Sequence, residues 1–325
     1  MAVIENVPRI GVLVLNRNGR HWLNSIFQSL REEKYPNKQI FLIDNASTDG
    51  SVEMTVEKYP EVTTIRLPQN LGYCMAYNLA MPYAFAAGCE WVIWANNDIR
   101  LEPGCLGTLV NAAQSDALIG VLSPAFLAWD SDEPNYYMLG NHPHAIPAMK
   151  SHSCKPINVD WVEGSFLMVS RRCLERVGPL DPYLYFYWEE ADFCRRARYQ
   201  GWRVVLVPGA LARHYAGGWS NGDPQNIAKA TLLQARNHYI YQLANPLQNF
   251  LINLVDVVHL FLVNLKNYFP NKICMVKLHL RIFARVLGDL GIIHGKWYRD
   301  RKIDHPPETT GAIQSIRVEV IQGQI

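Results

Sequence analysis

The apolar run 91–95 ends in three small polar side chains, Asn96, Asn97 and Asp98. A short apolar run bounded by glycine and proline fits a buried strand of a parallel sheet. Open α/β sheets bind ligands at the carboxyl ends of such strands. There, Asp98 would be a hard oxygen ligand, suited to Mg²⁺ or Mn²⁺ carrying phosphate oxygens. The alternative is a turn and helix cap, which these residue types also form often.

A second group of acids, Glu189, Glu190 and Asp192, follows an aromatic run that ends in Trp188. In one interpretation the acids form the first turn of a helix, where the helix dipole and the arginines that follow stabilise them. In the other, one ionised carboxylate faces a cleft and deprotonates an acceptor hydroxyl. The acids alone leave both interpretations open.

His214 is a third candidate, because it comes shortly after a predicted strand and is followed by the flexible pair Gly217-Gly218. A lone histidine is usually a packed or surface residue, but one near a candidate metal site can be a ligand. His142, His144 and His152 have irregular spacing without cysteines or acids in register, so we do not expect them to bind a metal.

A sheet must position these residues, because strand-like runs alternate with helical patterns along the chain. Strands are predicted at 9–15, 39–43, 62–67, 91–95, 117–122, 159–170 and 203–207, and helices at 20–33, from 51, at 73–87, at 104–115 and after 188. This alternation with short connections favours an α/β fold with a right-handed, doubly wound, mostly parallel sheet and helices on both faces. Residues 124–157 lack a clear period and form either a surface excursion or a loop over the site.

Asp44 follows the second predicted strand, where an acid in such sheets often accepts hydrogen bonds from a nucleotide's base or ribose. No Gly-x-Gly-x-x-Gly follows the first strand, which argues against a dinucleotide-binding oxidoreductase, and no P-loop sequence is present. Nucleotide phosphates must therefore be bound in another way. A metal held at Asp98 would neutralise a diphosphate directly.

Seven segments carry a resemblance to a known family. They are 14–19, 43–51, 70–72, 96–98, 163–165, 188–192 and 214–218. In this order they resemble glycosyltransferase family 2, which consists of inverting nucleotide-sugar transferases with the GT-A fold, and above all its rhamnosyltransferase-like branch. The resemblance covers about residues 9 to 220.

The resemblance implies roles for individual residues. Those implied to bind the nucleotide-sugar are Asn16, Asp44, Asn45, Asn70, Gly72, Asn97 and Gly164. Asp98 corresponds to the metal-binding acid of the family's Asp-x-Asp motif, and His214 to a second ligand for Mg²⁺ or Mn²⁺. Asn96 departs from the family pattern, because it stands where the first acid of that motif would be.

The resemblance also places the general base in the pair Glu189-Glu190. We favour Glu190, with Glu189 second and Asp192 as a supporting or acceptor-binding acid. Glu190 itself departs from the family pattern, in which the second acid of the pair is an aspartate. The extra methylene group leaves the choice between the two glutamates open.

The composition is that of a globular enzyme, with 49% apolar residues, 18% charged residues and a net charge of +2. This balance indicates neither disorder nor nucleic-acid binding. Seven dispersed cysteines without a Cys-x-x-Cys pair indicate reduced thiols in a cytosolic protein. Neither a signal peptide nor a membrane-spanning helix is expected. We expect a cytoplasmic protein, either in solution or bound peripherally to the inner face of the cell membrane.

Helical patterns replace the strands after residue 223, so three parts are predicted: a GT-A domain (1–223), a helical region (224–302) and a flexible tail (303–325). In residues 247–267, polar side chains form one narrow stripe and leave a wide apolar face. In residues 272–285, basic residues accompany apolar ones, which is typical of a helix on a membrane surface. The alternative is packing against the catalytic domain or, in a homo-oligomer, against another subunit.

The leading hypothesis is a metal-dependent hexosyltransferase that uses dTDP-rhamnose or a UDP-sugar. Its acceptor would be a hydroxyl of a saccharide or a lipid-linked saccharide, in cell-surface polysaccharide synthesis. One alternative is a nucleotide-sugar-binding protein that has lost its chemistry, which only Asn96 supports. Another is a nucleotidyltransferase, which can share the sheet and the metal site. The intact acids near residue 190, together with His214, favour the transferase.

Overall fold

A computed structural model describes residues 7–135, 142–151, 153–215, 224–268, 273–300 and 316–321. The strands are β1 Ile10–Asn16, β2 Lys38–Asp44, β3 Thr63–Arg66, β4 Trp91–Asn96, β5 Ile99–Leu101, β6 Ile119–Leu127, β7 Ile157–Asn158, β8 Phe166–Ser170, β9 Arg203–His214 and β10 Glu319–Ile321. The helices are α1 Arg20–Glu32, α2 Ser51–Lys58, α3 Gly72–Ala86, α4 Cys105–Gln114, α5 Ile146–Lys150, α6 Arg171–Val177, α7 Glu189–Tyr199, α8 Pro224–Leu243, α9 Phe250–Tyr268, α10 Ile273–Gly288 and α11 Leu290–Asp300.

The ten strands form one sheet in the order β10-β3-β2-β1-β4-β8-β6-β9-β5, with β7 paired to β9. The first four strands, β3-β2-β1-β4, pair in parallel, as their alternation with helices predicts. Their apolar runs are buried on both faces, because helices cover both sides of the sheet. The predicted doubly wound, mostly parallel fold is confirmed.

The second half of the sheet departs from the prediction in detail. β8 runs antiparallel to both of its neighbours, and its strand begins at Phe166, later than predicted. β9 extends to His214, well past the predicted end at residue 207. The register between β6 and β9 shifts after Val207, and the pairing resumes at Leu211. The short β5 was not predicted.

The segment 124–157 is only partly irregular. β6 continues to Leu127, and a 3₁₀ turn at Pro143–Ala145, α5 and β7 follow within the described residues. His142 is buried with its ring edge-on to Trp161. The side chain of His144, and His152 itself, lie outside the described residues, as do 136–141.

The C-terminal helices complete the hydrophobic core on one face of the sheet. Residues of α8 to α11, including Tyr239, Val257, Ile282 and Ile293, join the cluster that contains Trp94 of β4. The predicted flexible tail contains β10, which pairs antiparallel with β3, so the prediction was wrong for Glu319–Ile321. Among the described residues, no helix is long and apolar enough to cross a membrane.

Candidate active site

Asp98 and His214 are brought together by the pairing of β5 with β9. Asp98 occupies the tight turn between β4 and β5, and the next residue, Ile99, is in register with His214. The backbone N–H of Tyr215 donates to the Asp98 carbonyl at 3.1 Å. As a result, Asp98 Oδ1 and His214 Nε2 lie 3.3 Å apart, and both side chains are buried. The predicted pair therefore meets at one edge of the sheet.

This pair fits a divalent cation. Two ligands bound to one Mg²⁺ at about 2.1 Å and at right angles lie about 3 Å apart, close to the observed separation. A carboxylate oxygen and an imidazole nitrogen suit Mg²⁺ or Mn²⁺. Within the described part of the chain, no third His, Cys, Asp or Glu joins these two. Diphosphate oxygens and water are suited to supply further ligands.

A polar network connects the ends of β1, β2 and β4. Asn97 Nδ2 donates to Asn16 Oδ1 at 2.7 Å, and Asn16 Nδ2 donates to Ser47 Oγ at 3.2 Å and weakly to Asp44 Oδ1 at 3.5 Å. Asp44 Oδ2 accepts the backbone N–H of Ser47 at 3.1 Å. Asp44 is fully buried, so a nucleotide base would reach its carboxylate only if this network opened. In this arrangement Asp44 orders the turn.

Asn45 and Asn70 shape the loop that enters α3. Asn45 Oδ1 accepts the N–H of Leu71 at 2.8 Å and its Nδ2 donates to the Gly72 carbonyl at 3.2 Å. Asn70 Oδ1 accepts the N–H of Gly72 at 3.1 Å. Gly72 has a φ of +77°, and a Cβ there would lie 2.5 Å from the ring of Tyr185. These residues bring the α3 loop against the segment that precedes Glu189.

Glu190 lies against the loop between β7 and β8. A Cβ on Gly164 would be 3.2 Å from Glu190 Cβ, so glycine permits this close approach. The Gly164 carbonyl accepts a 2.6 Å hydrogen bond from the hydroxyl of Tyr73. Next to Gly164, the Ser165 carbonyl accepts the N–H of Asn96 at 2.8 Å. Glu190 and Asp98 thus belong to one continuous edge, the carboxyl end of β4.

Three glutamates at this edge resist ionisation. Burial raises the pKa of Glu190 to about 7. Burial, together with the charge of Glu190, raises the pKa of Glu189 well above its ordinary value and that of Glu163 to about 8. One buried oxygen of Glu189 and one of Glu190 have no hydrogen-bond partner within the described structure. A carboxylate with a pKa near neutrality and an unused acceptor oxygen is suited to take a proton from a hydroxyl.

Glu189 and Glu190 differ in exposure. Glu189 is almost fully buried, whereas Glu190 is partly exposed. This geometry favours Glu190 as the base. The raised pKa of Glu163 has no signal in the sequence, because the burial of this side chain depends on the fold.

Asp192 does not face the cleft, which corrects its expected acceptor-binding role. It is fully buried, and its carboxylate lies 2.9 Å from Arg196, 3.4 Å from Arg195 and 3.0 Å from Lys296 Nζ. Burial opposes ionisation, but the positive charges of Lys296, Arg196 and Arg195 hold the pKa of Asp192 below its usual range. Asp192 is a structural ion-pair partner that fixes α7.

The backbone just before α7 is strained. Tyr185, Tyr187 and Trp188 have φ values of 62°, 72° and 71°, which bulky L-residues rarely adopt. The side chain of Asn237 in α8 donates to the carbonyls of this segment, and the ring of Trp188 stacks on His238 with centroids 4.4 Å apart. No local sequence signal pointed to Asn237, because its partners lie far away along the chain.

The fold is that of GT-A glycosyltransferases, as predicted. The chain superimposes on a mannosyltransferase from Pyrobaculum calidifontis, whose structure contains GDP-Man and Mn²⁺, with a TM-score of 0.54 over 88% of each chain and 16% sequence identity. At this identity the likeness shows the fold alone.

The sequence comparisons define the family. The model of "Glycosyl transferase family 2" matches residues 10–178. The chain is 31% identical over 213 residues to the N-acetylglucosaminyl-diphospho-decaprenol L-rhamnosyltransferase of Mycobacterium tuberculosis, covering 57% of this chain and 69% of that protein. It is 24% identical over 198 residues to the dTDP-rhamnosyl transferase RfbF of Shigella flexneri, covering 60% of this chain and 64% of that protein. The chain belongs to glycosyl transferase family 2 and is a rhamnosyltransferase-like glycosyltransferase.

Proposed function

We propose that this glycosyltransferase moves a sugar from a nucleotide diphosphate, with inversion, to a hydroxyl of a saccharide or lipid-linked acceptor. The observation that carries this proposal is the placement of Glu190 and of the Asp98–His214 pair at the same edge of the sheet. The first donor candidate is dTDP-rhamnose, because two relatives carry rhamnosyltransferase names. A UDP-sugar is the alternative donor. An acceptor of this kind implies a role in cell-surface polysaccharide synthesis.

Asp98 and His214 would hold Mg²⁺ or Mn²⁺, which when bound supplies positive charge for the departing diphosphate. Glu190 would accept the proton of the acceptor hydroxyl while that oxygen bonds to the anomeric carbon. The bond from this carbon to the diphosphate oxygen breaks on the opposite face, so the configuration inverts. The products are the glycoside, the nucleoside diphosphate and one proton, which Glu190 carries.

A donor screen tests this function. Purified protein is incubated with UDP-, dTDP- and GDP-sugars, with Mg²⁺ or Mn²⁺ and with chelator, and released nucleoside diphosphate is measured. We expect metal-dependent release from one donor, increased by a saccharide or lipid-linked acceptor and lost in Glu190→Gln. Release of pyrophosphate would identify a nucleotidyltransferase. Donor binding without release across a broad acceptor panel would identify a binding protein.

A lipid-linked acceptor would place this reaction at the cytoplasmic face of a membrane. The exposed surface of the C-terminal helices bears on this location.

A further inference from the structure

Helix α9 packs inward through the apolar Val257 and Phe261 together with part of its polar stripe. Asn253 is fully buried, and its Nδ2 donates to the carbonyls of Leu243 and Asn245 at 3.0 and 2.9 Å. Asn264 Nδ2 donates to the hydroxyl of Tyr239 at 3.1 Å. The opposite side of α9, which carries most of its other apolar side chains, faces outward.

The exposed apolar side chains of α9 and α10 form a contiguous surface, the apolar ridge. The two helices lie side by side, with the rings of Phe261 and Phe283 stacked at 4.0 Å. The members of the ridge are Leu251, Ile252, Val255, Val258, Leu262 and Val263 of α9 and Leu280 and Leu287 of α10. Leu251 is 69% exposed and Val255 is 67% exposed. Soluble monomers rarely expose a contiguous apolar surface of this kind.

Basic residues accompany the apolar ridge. The exposed charged side chains described on α9 and α10 are Asp256, Lys266, Lys277, Arg281 and Arg285. Lys277, Arg281 and Arg285 recur every fourth position, so they form a basic stripe on the exposed side of α10, next to Leu280. Anionic lipid headgroups attract such residues, while the apolar side chains beside them enter the boundary of the acyl chains.

We propose that the apolar ridge and the basic stripe dock this enzyme on the surface of an anionic phospholipid bilayer. The helices lie in the interface, since no described helix is long and apolar enough to cross it. This inference deepens the proposed function, because a lipid-linked acceptor would be found at such a surface. Docking itself does not depend on which donor is used.

Vesicle sedimentation of the full chain tests docking. We expect the protein to sediment with vesicles of phosphatidylcholine and phosphatidylglycerol, and much less with phosphatidylcholine alone. Val255→Glu/Leu262→Glu should weaken binding roughly tenfold or more, as should Lys277→Glu/Arg281→Glu/Arg285→Glu at low salt. The matched control is Leu118→Glu, since Leu118 is 57% exposed but lies just before β6. It should bind like the wild type.

Wild-type protein that binds neither type of vesicle overturns the proposal. So does a wild-type dimer in analytical ultracentrifugation that Val255→Glu converts to a monomer, without vesicle binding, because the ridge is then an interface between two copies. Donor hydrolysis without vesicles is measured on the same samples. Retained hydrolysis with no vesicle binding refutes docking alone. Vesicle binding with no release of nucleoside diphosphate, even across the acceptor panel, refutes the transferase alone.

A separate observation concerns the strained segment 184–188. Asn237 Nδ2 donates to the carbonyls of Leu184, Phe186 and Tyr187 at 2.7, 2.9 and 2.9 Å. The side chain is fully buried, and its Oδ1 accepts from Arg236 at 2.8 Å. The two N–H groups of one amide thus serve three carbonyls that converge on the same point, and at least one N–H is shared between two of them. Residues keep such strained backbone conformations only where several surrounding contacts hold them in place.

We propose that Asn237 is a positioning residue for the general base. The turn that it holds ends at Trp188, and α7 starts with Glu189 and Glu190. A change in the φ angles of this turn would rotate the first turn of α7 and move the Glu190 carboxyl relative to Gly164. The C-terminal helices would therefore take part in catalysis through the backbone, without touching a substrate.

Asn237→Asp tests this role, because the substitution keeps the shape of the side chain but replaces the donating nitrogen by an oxygen that faces the three carbonyls. The matched control is Asn253→Asp, which alters an equally buried asparagine that also donates to backbone carbonyls but lies away from α7. We expect Asn237→Asp to lower kcat roughly 100-fold with little change in the donor KM. The acidic limb of its pH profile should move to lower pH, because a loosened turn leaves Glu190 better solvated. Asn253→Asp should lose comparable thermal stability with kcat within about threefold of wild type, since its site lies away from the reacting groups.

Equal losses of kcat in the two variants, or a folded Asn237→Asp with wild-type kcat and pH profile, would refute the positioning role. If Asn237→Asp does not fold, His238→Leu gives the answer, because it removes the ring under Trp188 and retains Asn237. His238→Leu should also lower kcat and move the acidic limb of the pH profile to lower pH. An unchanged pH profile in this variant would count against the positioning role.

Discussion

The ammonium group of Lys296 in α11 lies 3.0 Å from the carboxylate of Asp192 in α7. The same ammonium group is 3.2 Å from Asp181 and 3.0 Å from Asp300, and it is almost fully buried. Burial opposes its charge, yet these carboxylates raise the pKa of Lys296. A buried ion cluster thus joins the last described helix of the C-terminal region to the helix that carries the candidate base.

Lys296→Met should lower the free energy of unfolding by about 3 to 5 kcal/mol, because it leaves buried carboxylates without their shared cation. Urea unfolding followed by tryptophan fluorescence measures this change. Lys266→Met is the control, since it removes the same charge from an exposed position of α9 and should cost less than about 0.5 kcal/mol. Equal urea midpoints for the two variants would show that the buried ion cluster contributes little to the free energy of unfolding.

Glu190→Gln should abolish turnover, because the amide cannot accept the acceptor's proton. Glu189→Gln should retain measurable activity if Glu190 is the base. In the wild type, kcat/KM should rise with pH through about 7, since the base works only when ionised and burial holds its pKa there. The measurement is a pH profile of nucleoside diphosphate release, with donor affinity determined calorimetrically. Full activity of Glu190→Gln alongside an inactive Glu189→Gln would reverse the assignment.

The parallel half of the sheet could be predicted because each strand and its neighbouring helix form a local pattern. β5, β8 and β10 are set by partners far along the chain, so their pairing left no periodic signal. Asp98 and His214 were predicted from polar residues near the ends of strands, and Glu190 from an acidic run and the family resemblance. The burial that gives Glu163 its raised pKa, and the carbonyls that Asn237 binds, depend on packing alone.

The polar stripe of α9 also shows that a local sequence pattern does not determine how a helix packs. The helical period predicted a narrow polar stripe and a wide apolar face, but the buried side of α9 combines Asn253 with Val257 and Phe261. Periodicity alone could not tell which side packs inward, and the structure turns Asn253 to the core and Val255 to solvent.

The raised pKa of Glu189 also predicts a dependence of stability on pH. The folded state holds this proton at pH values where the unfolded chain, with a pKa near 4.5, has lost it. Stability from this group is therefore greatest below about pH 4.5 and falls as the pH rises toward the folded-state pKa. Glu189→Gln should raise the free energy of unfolding at pH 8 by on the order of 1 kcal/mol or more, and change it little at pH 4. Thermal unfolding at the two pH values measures this, and an equal effect at both would contradict it.

Gly72→Ala should disturb both folding and activity. Gly72 and Gly88 have φ values of +77° and +82°, but a Cβ on Gly72 would meet the ring and the carbonyl oxygen of Tyr185, whereas a Cβ on Gly88 meets nothing within 4 Å. Gly88→Ala should therefore cost only the left-handed conformation, about 1 to 2 kcal/mol. Gly72→Ala should cost more and lower kcat, because it pushes on the segment before Glu189. Equal stability and activity of the two variants would show that Tyr185 moves away from the added Cβ at little cost in free energy.

Loss of either candidate metal ligand should weaken cation binding independently of turnover. Mn²⁺ binding is followed by electron paramagnetic resonance in the presence of a nucleoside diphosphate, so the readout does not require an acceptor. Asp98→Asn and His214→Ala should each reduce affinity, by roughly tenfold or more, because each alters one of the two candidate ligands in the described part of the chain. His259→Ala, which alters an exposed histidine of α9, is the control and should bind Mn²⁺ like the wild type. Wild-type affinity in both ligand variants would exclude the pair as the metal site and leave their 3.3 Å contact as a structural ion pair.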